Sequence, residues 1–106
     1  MPDIDLGNRL FEFAVNVVMY LRKLGNSVEL KVIKYQLVKA ASSSAANYEE
    51  AQAAASRADF KNKINISLKE MRESNFWLRF LSRIIKQDEE LKKILGSITS
   101  KVKTWY

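Results

Sequence analysis

None of the 106 residues is cysteine or histidine, one is proline and three are glycine. Without cysteine there is no disulfide framework, and a reducing compartment, the cytoplasm, is the expected location. Without histidine there are no Glu-x-x-His ligand pairs of the kind that hold di-iron centres in helical bundles, and no histidine-based triad. Lacking both residue types, the chain has no zinc site of the usual composition and no thiol nucleophile. Gly7, Gly25 and Gly96 lie too far apart to form a phosphate-cradling loop. So few turn residues also argue against an all-β chain. Long apolar runs are missing too. The longest, Phe11 to Leu21, is cut by Glu12 and Asn16 and is too short to span a bilayer, so no membrane partner is expected. The opening residues, Met-Pro-Asp-Ile-Asp, carry no basic segment ahead of an apolar stretch and do not read as a signal peptide.

What is present suits a single domain over residues 1–106. Apolar residues make up 47% of the chain and charged ones 28%, the proportions of a soluble globular protein. The formal net charge of +6 is unevenly placed. Residues 1–56 hold six bases (Arg9, Arg22, Lys23, Lys31, Lys34, Lys39) and six acids (Asp3, Asp5, Glu12, Glu29, Glu49, Glu50). The second half therefore carries the whole excess, which points to an anionic partner or to a solubilising surface.

Leu10, Ala14, Val17, Val18, Leu21 and Leu24 recur at helical spacing and stop at Gly25-Asn26. A second helical pattern joins Leu30, Ile33, Leu37, Ala40, Ala41, Ser44, Tyr48, Ala51 and Ala55. Its middle, residues 40–46, contains only alanine and serine, which predicts a kink or a tight helix crossing. Ser56 and Asp59 have the spacing of a capping box, with Asp in place of Glu or Gln. In that motif Ser56 accepts from the Asp59 amide and Asp59 answers the Ser56 amide, so a third helix starts there and runs to about Lys86. A fourth opens with Asp88-Glu89-Glu90, proceeds through Leu91, Ile94, Leu95, Ile98, Val102 and Trp105, and places Lys101 and Lys103 last, as the helix dipole prefers. Short connections favour antiparallel neighbours. The expected fold is all-α, an antiparallel up-down-up-down four-helix bundle.

The third helix has more than one face. Advancing about 100° per residue, it places Phe60, Ile64, Leu68, Met71, Leu78 and Ile85 together as the expected core stripe. Ile66, Trp77, Phe80 and Ile84 fall on another side with Glu70 and Glu73. These could widen the core, but a small protein with a doubly apolar helix is expected to meet another subunit through the second stripe. A third strip carries Lys61, Lys69, Arg72, Arg79, Arg83 and Lys86, with Asn65 and Phe76 among them. It reads either as a solvated face or as a track for a phosphate backbone, with no sequence-reading code in view.

Carboxylates remain as candidate chemistry. Glu50, Glu70 and Glu73 could ligate a metal or move a proton, but sites made of scattered Glu without His are unusual. Pairing with Lys63, Lys69 or Arg57 is the simpler expectation. Asn47 reads as a structural amide. No catalytic residue, metal or cofactor is assigned.

The stretch from Gln36 to Leu81 carries Ala46-Asn47-Tyr48 with Glu50-Ala51, then Ser56-Arg57-Ala58-Asp59-Phe60, Lys63, Leu68-Lys69-Glu70, Arg72-Glu73 and Trp77-Leu78. In these residues the chain resembles the bacterial four-helix-bundle proteins encoded by intervening sequences in 23S ribosomal RNA genes. Residues 9–24 and the last helix match more loosely. The resemblance implies an antiparallel bundle assembled as a homopentamer, with no enzymatic activity. Related accessory proteins of diversity-generating retroelements bind RNA or DNA and a reverse transcriptase, which the resemblance offers as possible kinds of partner. The chain departs from the family pattern at Ser44-Ala45, at Glu49, where a base is common, and at Asn62, where histidine is common. A non-catalytic oligomeric binding protein is thus the expectation, with a carboxylate-metal enzyme and a purely structural assembly as alternatives.

Overall fold

The computed structural model describes residues 6–86, which form three helices: α1 (Leu6–Leu21), α2 (Val28–Ala51) and α3 (Arg57–Ile85). No strand occurs among the described residues, so the all-α class holds. The expected fourth helix lies outside them. α2 packs against both α1 and α3, whereas α1 and α3 do not approach each other closely. Both pairings are antiparallel. The start of α1 meets the end of α2, where a Cβ built on Gly7 would lie 3.6 Å from the Tyr48 ring. The end of α2 likewise meets the start of α3 through Glu50 and Lys63.

Each boundary has a local cause. α1 closes one turn earlier than its apolar pattern, with the Lys23 and Leu24 amides bonding back three residues to Tyr20 and Leu21. The expected glycine stop is not a left-handed cap, because no residue in the described chain has a positive φ. Lys34 fastens the turn instead, its Nζ donating to the Leu24 carbonyl and to Asn26 Oδ1, each at 3.0 Å. Ser27 caps α2, its hydroxyl accepting from the Leu30 amide at 3.3 Å. α2 ends at Ala51 rather than Ala55. The amides of Gln52, Ala53 and Ala54 bond to carbonyls three residues back, which tightens the last turn and releases the chain.

Ser56 then caps α3. Its backbone is extended (φ −150°, ψ 166°) and its hydroxyl accepts from the Asp59 amide at 3.0 Å. The reciprocal half of the expected box differs. Asp59 Oδ2 accepts from the Ala55 amide, at 3.4 Å, rather than from Ser56. Aspartate is one methylene shorter than the glutamate of the usual motif, and Ala55 is the amide its carboxylate meets.

The core joins Phe13, Val17, Leu21 and Leu24 to Leu30, Ile33, Leu37 and Ala41, and to Leu81 and Ile85, with Met71, Trp77 and Leu78 against its edge. Along α3 the inward seam runs Ser67, Met71, Ser74, Leu78, Leu81, Ile85, in alternating steps of four and three. This corrects the expected stripe. Phe60 and Leu68 are exposed, while Ser67 and Ser74 are buried in the seam. The serines fit because their hydroxyls are satisfied. Ser74 Oγ donates to the Glu70 carbonyl one turn back, at 3.0 Å.

The small-residue middle of α2 is the predicted tight crossing. The helix is continuous through it. Ser44 Oγ donates to the Ser67 carbonyl at 2.9 Å, and Ser67 Oγ donates to the Ser44 carbonyl at 2.7 Å. A side chain as short as serine reaches the opposite backbone only where two helices approach closely. Asn47 is the structural amide expected of it, donating to the carbonyl and hydroxyl of Ser43.

Candidate nucleic-acid and assembly surfaces on the third helix

Because α2 covers only one side of α3, most of this 29-residue helix faces outward. Lys61, Lys69, Arg72, Arg79, Arg83 and Lys86 are all exposed. From the first to the last, at ~1.5 Å per residue, they span roughly 37 Å along one side. Phe76 stands among them, 45% exposed. None of the six is in an ion pair with a described residue.

The second stripe is divided by the fold. Ile66, Glu70 and Trp77 are half-buried, and Trp77 leans against the chain's own core. Glu73, Phe80 and Ile84 are exposed. Trp77 therefore acts first within the monomer, and the outward-facing apolar group is Phe76, Phe80 and Ile84. The three aromatic rings form one cluster. Phe76 meets Trp77 edge-on at 5.0 Å, Trp77 meets Phe80 edge-on at 5.5 Å, and Phe76 and Phe80 lie nearly parallel at 6.0 Å. Half-buried Trp77 thus fixes the orientation of two exposed phenylalanines.

The carboxylates do not converge. Glu50 is taken by Lys63, whose Nζ donates to its Oε1 at 2.9 Å. That hydrogen bond, with the charge of Glu50 and a smaller contribution from Asp59, raises the Lys63 pKa above its ordinary 10.5. Among the described residues no three of His, Cys, Asp or Glu come together as a metal site. Glu70 and Glu73 pair with none of the expected cations there. No helix among these residues is long and apolar enough to cross a membrane.

A further feature of the surface was not anticipated. An open groove of about 690 Å³ runs between α1 and α2, lined by Phe11 and Val15 from α1 and by Ala45, Ala46, Glu49 and Glu50 from α2. The sequence held a signal for it. The apolar side of α1 is wider than its buried stripe of Phe13, Val17 and Leu21, since Phe11 and Val15 lie beyond it and are exposed.

The model of the 23S rRNA-intervening sequence protein family matches residues 3–104. Among solved structures, the chain is similar to a protein of unknown function from the S23 ribosomal protein family of Bacteroides thetaiotaomicron. The two share 37% identity and a TM-score of 0.72, over 99% of this chain and 95% of that one. No curated protein matches. The family match spans nearly the full length, and the chain belongs to the 23S rRNA-intervening sequence protein family.

Proposed function

We propose that this protein is a non-catalytic, self-assembling four-helix bundle of the cytoplasm that binds nucleic acid through the basic side of α3. The observation that carries this reading is the row of six exposed cations, none ion-paired with a described residue. Cations free of acidic partners among the described residues are available to phosphates, and their common side lets them follow one backbone. Phe76 among them offers a ring on which an unpaired base could stack. Assembly would repeat the row on each subunit, so that weak contacts add through multivalency; a pentamer is the assembly that the resemblance to relatives suggests. A nucleic-acid enzyme such as a reverse transcriptase would share the bound strand.

Binding of this type is insensitive to sequence and falls steeply with salt, because each neutralised phosphate releases counterions. The test is an anisotropy titration of labelled single-stranded and duplex probes at several salt concentrations. Changing Arg79 and Arg83 together to Gln removes two phosphate contacts, so the logarithmic salt slope on duplex flattens by about 1.8. The mass of the assembly stays the same. Absence of binding by the wild-type protein at low salt would make the row a solvated face and reject the reading.

A further inference from the structure

We infer that the basic side of α3 selects single-stranded nucleic acid over duplex, with Arg72, Phe76 and Arg79 forming a platform on which successive unpaired bases stack. This rests on the reading that the row binds nucleic acid, and it names the form of strand that the row takes. Phe76 lies four residues after Arg72 and three before Arg79, so the three side chains are neighbours on one side of the helix. All three are exposed. The row's lysines, Lys61, Lys69 and Lys86, stand farther from Phe76 than these two arginines do. A guanidinium is planar and stacks on a base as well as forking a phosphate, whereas an ammonium acts only as a point charge.

Spacing argues against a paired strand. At ~1.5 Å per residue the three side chains leave the helix about 6 Å and about 4.5 Å apart along its axis. Stacked bases rise only ~3.4 Å per step, so neighbouring bases reach neighbouring planes only when they are pulled apart. A duplex gives up its own stacking to do this, and a single strand gives up little. The length of the row points the same way. A duplex completes a turn in about 34 Å, less than the roughly 37 Å of the row. Each of its strands would wind away from a straight line of cations that an extended strand follows throughout. The Phe76 ring is already set, with Trp77 edge-on at 5.0 Å and Phe80 nearly parallel at 6.0 Å, so stacking on it orders little that is mobile. Glu70 and Glu73, the two acids of α3 between Lys61 and Lys86, fall on the Phe80 side and keep phosphates to the side of the row.

The test titrates the wild-type protein by anisotropy, at one salt concentration, with three probes of equal length. These are a thymidine oligomer, an abasic strand that keeps the sugar and phosphate but lacks the bases, and a duplex. The thymidine strand should bind at least about fivefold tighter than the abasic strand, the least that one stacked base supplies, and tighter than the duplex. Phe76→Leu stays apolar against Trp77 but removes the ring. It should weaken thymidine binding roughly 5- to 150-fold, leave the abasic strand and the duplex as they were, and keep the salt slope, since no charge changes. Phe76→Tyr, which retains a ring, should bind thymidine as wild type does. Equal binding of thymidine and abasic strands, or a duplex bound as tightly as thymidine, overturns the inference and leaves the row a plain phosphate track. Wild-type thymidine affinity in Phe76→Leu, folded by circular dichroism, overturns it too. Should that variant lose its fold, the three probes on the wild-type protein decide. No binding of any probe at low salt rejects the nucleic-acid reading itself.

Discussion

The α2–α3 crossing makes a quantitative demand. Ser67 Oγ lies 2.7 Å from the Ser44 carbonyl oxygen and Ser44 Oγ 2.9 Å from that of Ser67. Replacing Ser67 with Ala removes one of these bonds but strands nothing, since the Ser44 carbonyl is still part of its own helix. The cost is one net hydrogen bond, about 0.5–1.5 kcal/mol. Valine at the same place is a different perturbation. Its methyl groups need ~3.3–3.6 Å from an oxygen, more than the hydroxyl occupies, so the helices must part or the side chain must strain. Overpacking of that kind adds about 1–3 kcal/mol, for a total of roughly 2–4 kcal/mol.

Urea unfolding followed at 222 nm separates the two cases, and thermal midpoints give a second measure at about 4–8 °C per kcal/mol for a domain near this size. The expected order is wild type, then Ser67→Ala, then Ser67→Val, with a clear gap before the last. A cycle with Ser44→Ala adds a finer test. The hydroxyls lie 3.3 Å apart and share the crossing, so the double variant should depart from the sum of the singles by more than the ~0.5 kcal/mol typical of independent sites. If Ser67→Val is as stable as Ser67→Ala, the helices have room to spare and the account of the crossing is wrong.

Two further outcomes follow from the ends of the helices. Ser56→Ala should lower stability by about 0.5–2 kcal/mol, the usual cost of a lost N-cap, and Ser56→Gly by a few tenths; an unchanged urea midpoint for the alanine variant would place the start of α3 under other control. The Lys63–Glu50 pair sets a pH dependence with a definite sign. The folded-state pKa of Lys63 is raised, so its contribution is complete below the ordinary lysine value of 10.5 and is lost as pH climbs through the raised one. Lys63→Gln should therefore be less stable than wild type at pH 8, the two converging above pH 10.5. A gap that persists at high pH would trace the effect to packing instead of charge.

The limits of the three described helices were legible in the chain to within a turn, because helical spacing and the Ser56-x-x-Asp59 start are local signals. The inward seam of α3 was legible only in part. Met71, Leu78 and Ile85 were found by their apolarity, while Leu68, one step off the seam, and Phe60, seven residues before Ser67, were drawn in by the same criterion though both are exposed. Ser67 and Ser74 were passed over, since a hydroxyl reads as polar until the carbonyl that satisfies it is known. In Ser67 that carbonyl is 23 residues away in sequence, beyond any local pattern.

The outward faces of α3 follow a different logic. Packing on α2 needs only the seam, so the monomer gives no reason for Phe80 and Ile84 to be apolar or for the adjoining side to hold six cations. Surface phenylalanines invite aggregation, and a one-signed row of charge repels itself. Both costs fall away if Phe80 and Ile84 are covered by another copy and the row by phosphate. Sequence periodicity could reveal that α3 has more faces than a single core requires. The α1/α2 groove was hidden from that reading, because it is formed by residues more than two dozen positions apart, Phe11 and Ala45 among them, that only the fold brings together.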